Sequence, residues 1–285
     1  MVDAHIRKFR RLGDVGAWKN ATTAAPVRGL VGRAHTRSIF DLDRRRPSPR
    51  AAEFVDHYWI VQWDLRGQEP YESTVITFPA LHLTHEWGND RTRHGHTLPA
   101  VLLHGVVERV FRTTISGIGT VVGARFHPGG FTARFGRDAA SLTGRVERAD
   151  DMLPHAPHDV HGSVAALESL IESEDPLDET YRTLRTLVDR IRDDGRLQRV
   201  EQLVELSPWS ARTTQRMFRH YVGVPVKWVL CRYRLQQAAL EIESHPDLDF
   251  ADLAVRLGWY DQAHFINDFR SFLGCTPREY LARTE

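Results

Sequence analysis

Four side chains between residues 212 and 219 have the types and spacing to grip a nucleic-acid duplex: Arg212, Gln215, Arg216 and Arg219. At about 3.6 residues per turn they share one helix face, while Thr214, Met217, Phe218 and Tyr221 share the other. An arginine can hold a guanine edge through O6 and N7 with two hydrogen bonds. Arg212 and Arg216, one turn apart, are therefore candidate base readers. Arg219 is a candidate phosphate contact, which positions a protein without specifying a sequence. Gln262, Ala263, Ile266, Asn267 and Arg270 repeat the arrangement, with two carboxamides suited to adenine. The plain alternative for either set is a solvated helix face.

Both sets need helices to present them. Asp249 can cap a helix whose Leu253, Ala254 and Leu257 form an apolar stripe. Gly258 ends it, because glycine takes the left-handed conformation at little cost. Trp259-Tyr260 turn the chain, and Asp261 caps a helix burying Phe265, Phe269 and Phe272. Thr276-Pro277-Arg278-Glu279 reads as a capping box opening a last short helix. Upstream, Arg199 to Leu206 is a short helix burying Val200, Leu203 and Val204, and Ser207-Pro208-Trp209 break it. Ser210 caps a helix from Ala211 to about Val222, Gly223 stops it, and Pro225 opens a long helix to about Ser244. The pattern predicts two helix-turn-helix units, 199–222 and 250–273, joined by the helix 225–244.

The residues are more specific than the pattern. Leu253-Ala254-x-x-Leu257-Gly258-Trp259-x-Asp261-Gln262-Ala263-His264-Phe265, then Asp268-Phe269-Arg270 and Gly274-x-Thr276-Pro277-x-x-Tyr280, resembles the C-terminal signature of AraC/XylS-type bacterial transcription regulators. Gln215-Arg216-Met217-Phe218-Arg219 followed by Tyr221-Val222-Gly223-Val224-Pro225 is similar to the first helix-turn-helix of the same family. The resemblance runs from about Leu177 to Arg283. It implies that the long helix is a strut holding two recognition helices about 34 Å apart, in successive major grooves. Two positions depart from the family. Thr214 stands where a buried leucine is usual, and Asn267 replaces a frequent arginine.

Ahead of this module the period changes. Tyr58 to Leu65 alternates, with Trp59, Val61, Trp63 and Leu65 on one face. Val75–Phe78, Leu81–Trp87, Val106–Phe111 and Thr120–Phe126 are further expected strands. Gly67, Gly88-Asn89-Asp90, Gly117-Ile118-Gly119 and Pro128-Gly129-Gly130 are the expected turns, and Ala51 to His57 a short helix. The fold class expected is α+β and multidomain: a β-rich barrel or sandwich, cupin-like by resemblance to a subgroup of the same family, then an all-α module. Residues 1–35 form an arm, 36–158 the β-rich effector or dimerisation domain, 159–176 a linker with a helix, and 177–285 the DNA-binding domain.

Trp59, Trp63, Trp87, Arg125 and His127 are the candidate ligand-binding residues of the β-rich domain. His82, His85, His94, His96, His104 and His127 raise the question of a metal. His82 and His85 fall on opposite strand faces, and His94-Gly95-His96 reads as a polar loop. No carboxylate follows at the spacing cupin metal sites use, so neither metal nor cofactor is expected. No Gly-x-Ser-x-Gly, P-loop or paired catalytic carboxylates stand in a credible context, so the chain is read as no enzyme.

The 285 residues suit two domains, and 41% apolar residues with a net charge of +1 suit a globular chain. Two cysteines, Cys231 and Cys275, cannot form a zinc-finger quartet and read as buried thiols. Charge is uneven: Arg196 to Arg234 carries +6 and Leu235 to Glu285 carries −5. The first unit and the strut should therefore supply most of the phosphate attraction. The reading is a cytoplasmic, sequence-specific transcription regulator controlled by a small-molecule effector through its β-rich domain. Double-stranded promoter DNA and the effector are its expected partners, RNA polymerase and a second copy of the chain are candidates, and no membrane is involved. The alternatives are a metal-dependent sensor or enzyme built on the β-rich domain, and a helical protein–protein adaptor.

Overall fold

Val55–Leu65 is a strand with two unlike faces, Tyr58 and Ile60 on one and Trp59, Val61 and Trp63 on the other, with an irregularity between Val55 and His57. A computed structural model describes residues 39–75 and 78–282 of the chain; the expected arm, residues 1–35, lies outside them. Ten strands follow in order: β1 (Asp41–Arg45), β2 (Val55–Leu65), β3 (Tyr71–Val75), β4 (His82–Gly88), β5 (Thr92–Arg93), β6 (His96–Thr97), β7 (Ala100–His104), β8 (Phe111–Ile115), β9 (Gly117–Phe126) and β10 (Val146–Arg148). Six of them form an antiparallel sheet in the order β1-β2-β9-β4-β7-β10. β3 and β8 pair separately and lie over one face of that sheet, with a cavity between. Among the described residues the sheets do not close into a barrel.

Several boundaries differ from the sequence expectation. Ala51–Glu53 is one 3₁₀ turn rather than a helix to His57, and the strand begins at Val55. Val106 to Val110 is a loop between β7 and β8. Of the strand expected at 75–78, residues 76–77 lie outside the described residues, and β3 is described over Tyr71–Val75. Gly117-Ile118-Gly119 lies inside β9 rather than in a turn. A Cβ on Gly119 would come within 2.1 Å of the Trp63 ring, so this glycine makes room for an indole.

The face of the large sheet carrying Tyr58, Ile60, Leu83, Leu103, Val122 and Ala124 is dry. It is covered by α1 (Gly130–Phe135), α2 (Val160–Ile171) and α3 (Glu179–Asp193). Val164, Leu167 and Ile171, on the helix expected within the linker, are buried in this core.

The helical module contains α4 (Val200–Leu206), α5 (Ala211–Met217), α6 (Val226–Ser244), α7 (Phe250–Arg256), α8 (Gln262–Leu273) and α9 (Pro277–Ala282). α5 runs on through one π turn, Phe218–Val222, and Gly223 at φ 92° ends it. Leu203, Phe218, Val222 and Val229 share the core of the β-rich domain, whereas α7, α8, α9 and the end of α6 have their own. In that second core Phe265 and Phe269 are fully buried, each contributing about 1.5–3 kcal/mol. Phe272 is only half-buried, against Trp228. No helix among the described residues is long and apolar enough to cross a membrane.

Candidate functional site

Local caps fix each presenting helix. Ser210 Oγ accepts from Thr213 N at the start of α5, and Asp261 Oδ1 accepts from His264 N at the start of α8. Asp249 caps α7, and Gly258 at φ 84° follows its last turn. Thr276 and Glu279 exchange the two bonds of a capping box. Thr214, the departure from a buried leucine, is fully buried and donates to Ser210 O at 3.1 Å. Its hydroxyl also meets Ser207 Oγ at 2.9 Å, which ties α5 to the preceding turn. Asp268 does the equivalent work in the second unit: it accepts from Trp259 Nε1 at 2.9 Å, fixing the turn on α8. Arg234 of α6 donates to Gly258 O at 3.0 Å and stacks on Trp259, so the strut is bonded to that same turn.

On this scaffold Arg212, Arg216 and Arg219 are exposed and Gln215 is half-buried. Gln262, Ala263, Asn267 and Arg270 are exposed on α8, with Ile266 half-buried. None of the four arginines has an ion pair among the described residues. The strut has 19 residues, a length of about 28 Å, comparable with the ~34 Å of one duplex turn. Cys231 and Cys275 are both buried thiols.

The helical module is not a free appendage. Thr143 Oγ1 donates to Gly223 O at 2.8 Å and Thr132 Oγ1 to Tyr221 O at 3.2 Å. The loop between β7 and β8 reaches the strut, where Trp228 Nε1 donates to Glu108 O at 3.2 Å. Val110 of the same loop lies against Gly274, just past α8.

A cavity of about 220 Å³ opens between the large sheet and the β3–β8 pair. The register explains its lining. His57, Arg125, His82 and His104 are direct neighbours across β2, β9, β4 and β7, and so share one face. Trp59 and Trp63 lie over Gly123 and Gly119 of β9, leaving space above them. Leu42, Val61, Phe78, Phe111, Ile115 and Val121 complete an apolar wall.

Two polar clusters interrupt this wall. Glu86 is nearly fully buried and bonds Arg93 Nη1 at 3.1 Å, Thr84 Oγ1 at 2.8 Å and His104 Nε2 at 3.2 Å. Burial alone pushes its carboxyl up; the His104 hydrogen bond, with the charges of His104 and Arg93, brings it down to about 2. His94 stands against His104 and Phe111, its φ of 51° turning it inward, and burial lowers it to about 4. Glu86, His94 and His104 offer ligand atoms within 4.8 Å of one another, an ionised carboxylate beside a neutral imidazole that could hold a divalent metal. Arg93 already neutralises the carboxylate, which weakens that use. His94 and Gly95 form the turn between β5 and β6, as the polar stretch suggested, but His94 is half-buried, and the carboxylate beside it, Glu86, precedes it in the sequence and is brought near by the fold. The second cluster is Arg44, His57, His82 and Arg125. Arg125 pairs with Asp56 at 3.2 Å, and His82 accepts from Trp59 Nε1 at Nδ1. Burial holds His82 neutral, so its proton is on Nε2.

Of the residues expected to meet a ligand, Trp59, Trp63 and Arg125 line the cavity. Trp87 does not: one residue past Glu86 on β4, it faces the other way and packs on His85 and His158. His127 is also elsewhere, near Arg185 and the backbone of Ala52. Sequence reasoning missed Arg44, His57, Glu86, Arg93 and Phe111. The signal available for Glu86 was the alternation His82-x-Thr84-x-Glu86, polar on one face of a strand.

Residues 205–283 match a family model described as a helix-turn-helix domain, and residues 43–148 match a domain of unknown function (DUF6597). The chain is 31% identical over 84 residues to the putative HTH-type transcriptional regulator YkgA of Escherichia coli, covering 30% of this chain and 35% of that protein. It is 28% identical over 81 residues to the HTH-type transcriptional activator AarP of Providencia stuartii, covering 28% of this chain and 59% of that one. The chain thus spans less than two thirds of the length of these relatives. A solved AraC-type transcriptional regulator from Chromobacterium violaceum aligns over 37% of this chain and 94% of its own, at 19% identity and a TM-score of 0.34.

Proposed function

We infer, from the premise that the C-terminal module of this chain belongs to the AraC/XylS-type helix-turn-helix family, that the protein is a sequence-specific DNA-binding transcription regulator. One observation carries this reading. Two separately capped helices, α5 and α8, expose unpaired arginine and carboxamide side chains and are held by one continuous strut. Arg212, Gln215 and Arg216 read base edges in one major groove, and Arg219 grips a phosphate. Gln262, Ala263, Asn267 and Arg270 serve the next groove, more weakly because that unit is acidic. Promoter DNA is the partner, and RNA polymerase and a second copy of the chain are candidates for further contacts.

The cavity of the β-rich domain is the effector site of this regulator. Val107, in the loop that touches Trp228 and Gly274, and Phe111, just after it, both line the cavity. A ligand that moves this loop acts on both helix-turn-helix units at once, because Trp228 is on the strut and Gly274 ends α8. The experiment is genome-wide mapping of binding sites, followed by binding measurements on the recovered sequences at several salt concentrations. Sequence-independent binding alone, or none at low salt, contradicts the reading and favours a helical adaptor.

A further inference from the structure

The cavity has a chemically unbalanced end. Arg44 of β1 and Arg125 of β9 both line it, near enough that Arg125, after burial itself, lowers the Arg44 guanidinium. Asp56 is the carboxylate serving this end: it bonds His57 at 2.8 Å and pairs with Arg125. Arg44 has no ion pair among the described residues, and the Nε atoms of Arg44 and Arg125 are buried without a hydrogen-bond partner. Phe78 covers the Arg125 guanidinium at 4.0 Å. The neighbouring imidazoles add no charge, because burial lowers both His57 and His82, and His82 keeps its proton on Nε2. Two guanidinium groups thus face one carboxylate in a low-dielectric wall. Both side chains are half-buried, with only their Nε atoms fully enclosed, and a partly desolvated excess cation is stabilised by a partner that neutralises it. At the opposite end Arg93 pairs with both Glu86 and Asp90, so the positive excess is confined to the Arg44–Arg125 end.

We propose that this cavity binds a compact organic anion, an apolar body carrying one carboxylate, with Arg44 and Arg125 holding the carboxylate. The proposal rests on the reading of the cavity as the effector site and adds the chemical class of the effector. Arginine suits the task because its planar fork meets both carboxylate oxygens. His82 Nε2–H is a neutral donor at the same end. The body lies between Trp59, Trp63, Val61 and Phe111. An apolar cavity of about 150 Å³ takes benzene, so 220 Å³ takes a body of about nine heavy atoms.

The test uses the full-length protein and two probes of nearly equal shape, 3-phenylpropionate and the neutral 3-phenylpropanol. Trp59 and Trp63 give an intrinsic fluorescence readout, and calorimetry an independent one. Wild type is expected to bind the acid at least about tenfold more tightly than the alcohol. Arg44→Gln is expected to lose that preference while its thermal melt is retained, since Arg44 holds no ion pair among the described residues. Arg125→Gln is expected to do the same, with some loss of stability from its Asp56 pair. Equal binding of acid and alcohol by wild type, or an Arg44→Gln protein that keeps the preference, overturns the anion proposal and leaves the effector-site reading standing. Binding of neither probe overturns both.

Discussion

Replacing Arg216 with alanine separates base reading from folding. Arg216 is exposed and has no ion pair among the described residues, so Arg216→Ala should leave folding stability within about 0.5 kcal/mol of wild type. The whole effect should therefore appear in DNA binding. A bidentate arginine–guanine contact discriminates by about 1–3 kcal/mol, a loss of roughly 5- to 150-fold at one base pair. Arg219→Ala is the control. As a phosphate contact it should weaken every sequence alike and reduce the slope of log affinity against log salt by about one. The assay is fluorescence anisotropy on a genomically recovered site, its single-base variants and a salt series. Unchanged base preference in Arg216→Ala, or a loss of affinity accompanied by unfolding, refutes the assignment of α5 as a base-reading helix.

Phe269→Ala, at a fully buried ring in the second core, should cost about 3–5 kcal/mol in urea unfolding, and a change under about 1 kcal/mol would mean that core is loose. Gly223→Ala should destabilise by about 1–3 kcal/mol, because φ is 92° and the new methyl would meet Ala139 O at 3.0 Å; an unchanged melt contradicts the docking of α5 on the β-rich domain. Glu86→Gln leaves Asp90, at 3.4 Å, as the remaining carboxylate on buried Arg93 and should cost about 1.5–3 kcal/mol, whereas a neutral result would show that the Glu86–Arg93 pair is loose or hydrated. His94 and His127, lowered to about 4 chiefly by burial, bind protons in the unfolded chain near 6.5, so unfolding free energy should fall as pH drops from 6.5 towards 4. Below that, Glu86 continues the loss from its usual 4.5 towards 2. Urea midpoints flat across pH 4–6.5 would contradict the burial of these imidazoles.

The helical module was legible because its signals are local. Ser210, Asp249 and Asp261 cap through their own next turn, and Gly223 and Gly258 stop helices with their own backbones. Such signals need no knowledge of the rest of the chain. In the β-rich domain the decisive relations are between strands. Gly119 reads as a turn residue until Trp63 is placed above it from β2. Trp87 reads as a cavity residue because it is large and apolar, yet alternation on β4 puts the polar Thr84 and Glu86 inside. Here polarity is inverted relative to the usual strand, and a hydrophobic pattern cannot show which face is enclosed. Arg44 escaped notice for a similar reason: only the pairing of β1 with β2 brings it beside Trp59 and towards Arg125. The docking of α5 through Thr143 and Thr132, distant in sequence, left no periodic trace.

Hydroxyl-radical footprinting of the full-length protein on a recovered site tests most directly whether α5 and α8 engage one duplex together. The account predicts two protected segments, centred about one helical turn apart on the same DNA face. Arg216→Ala should fade one segment and Arg270→Ala the other. A single protected segment unaffected by Arg270→Ala, or two segments on opposite faces of the duplex, would contradict it.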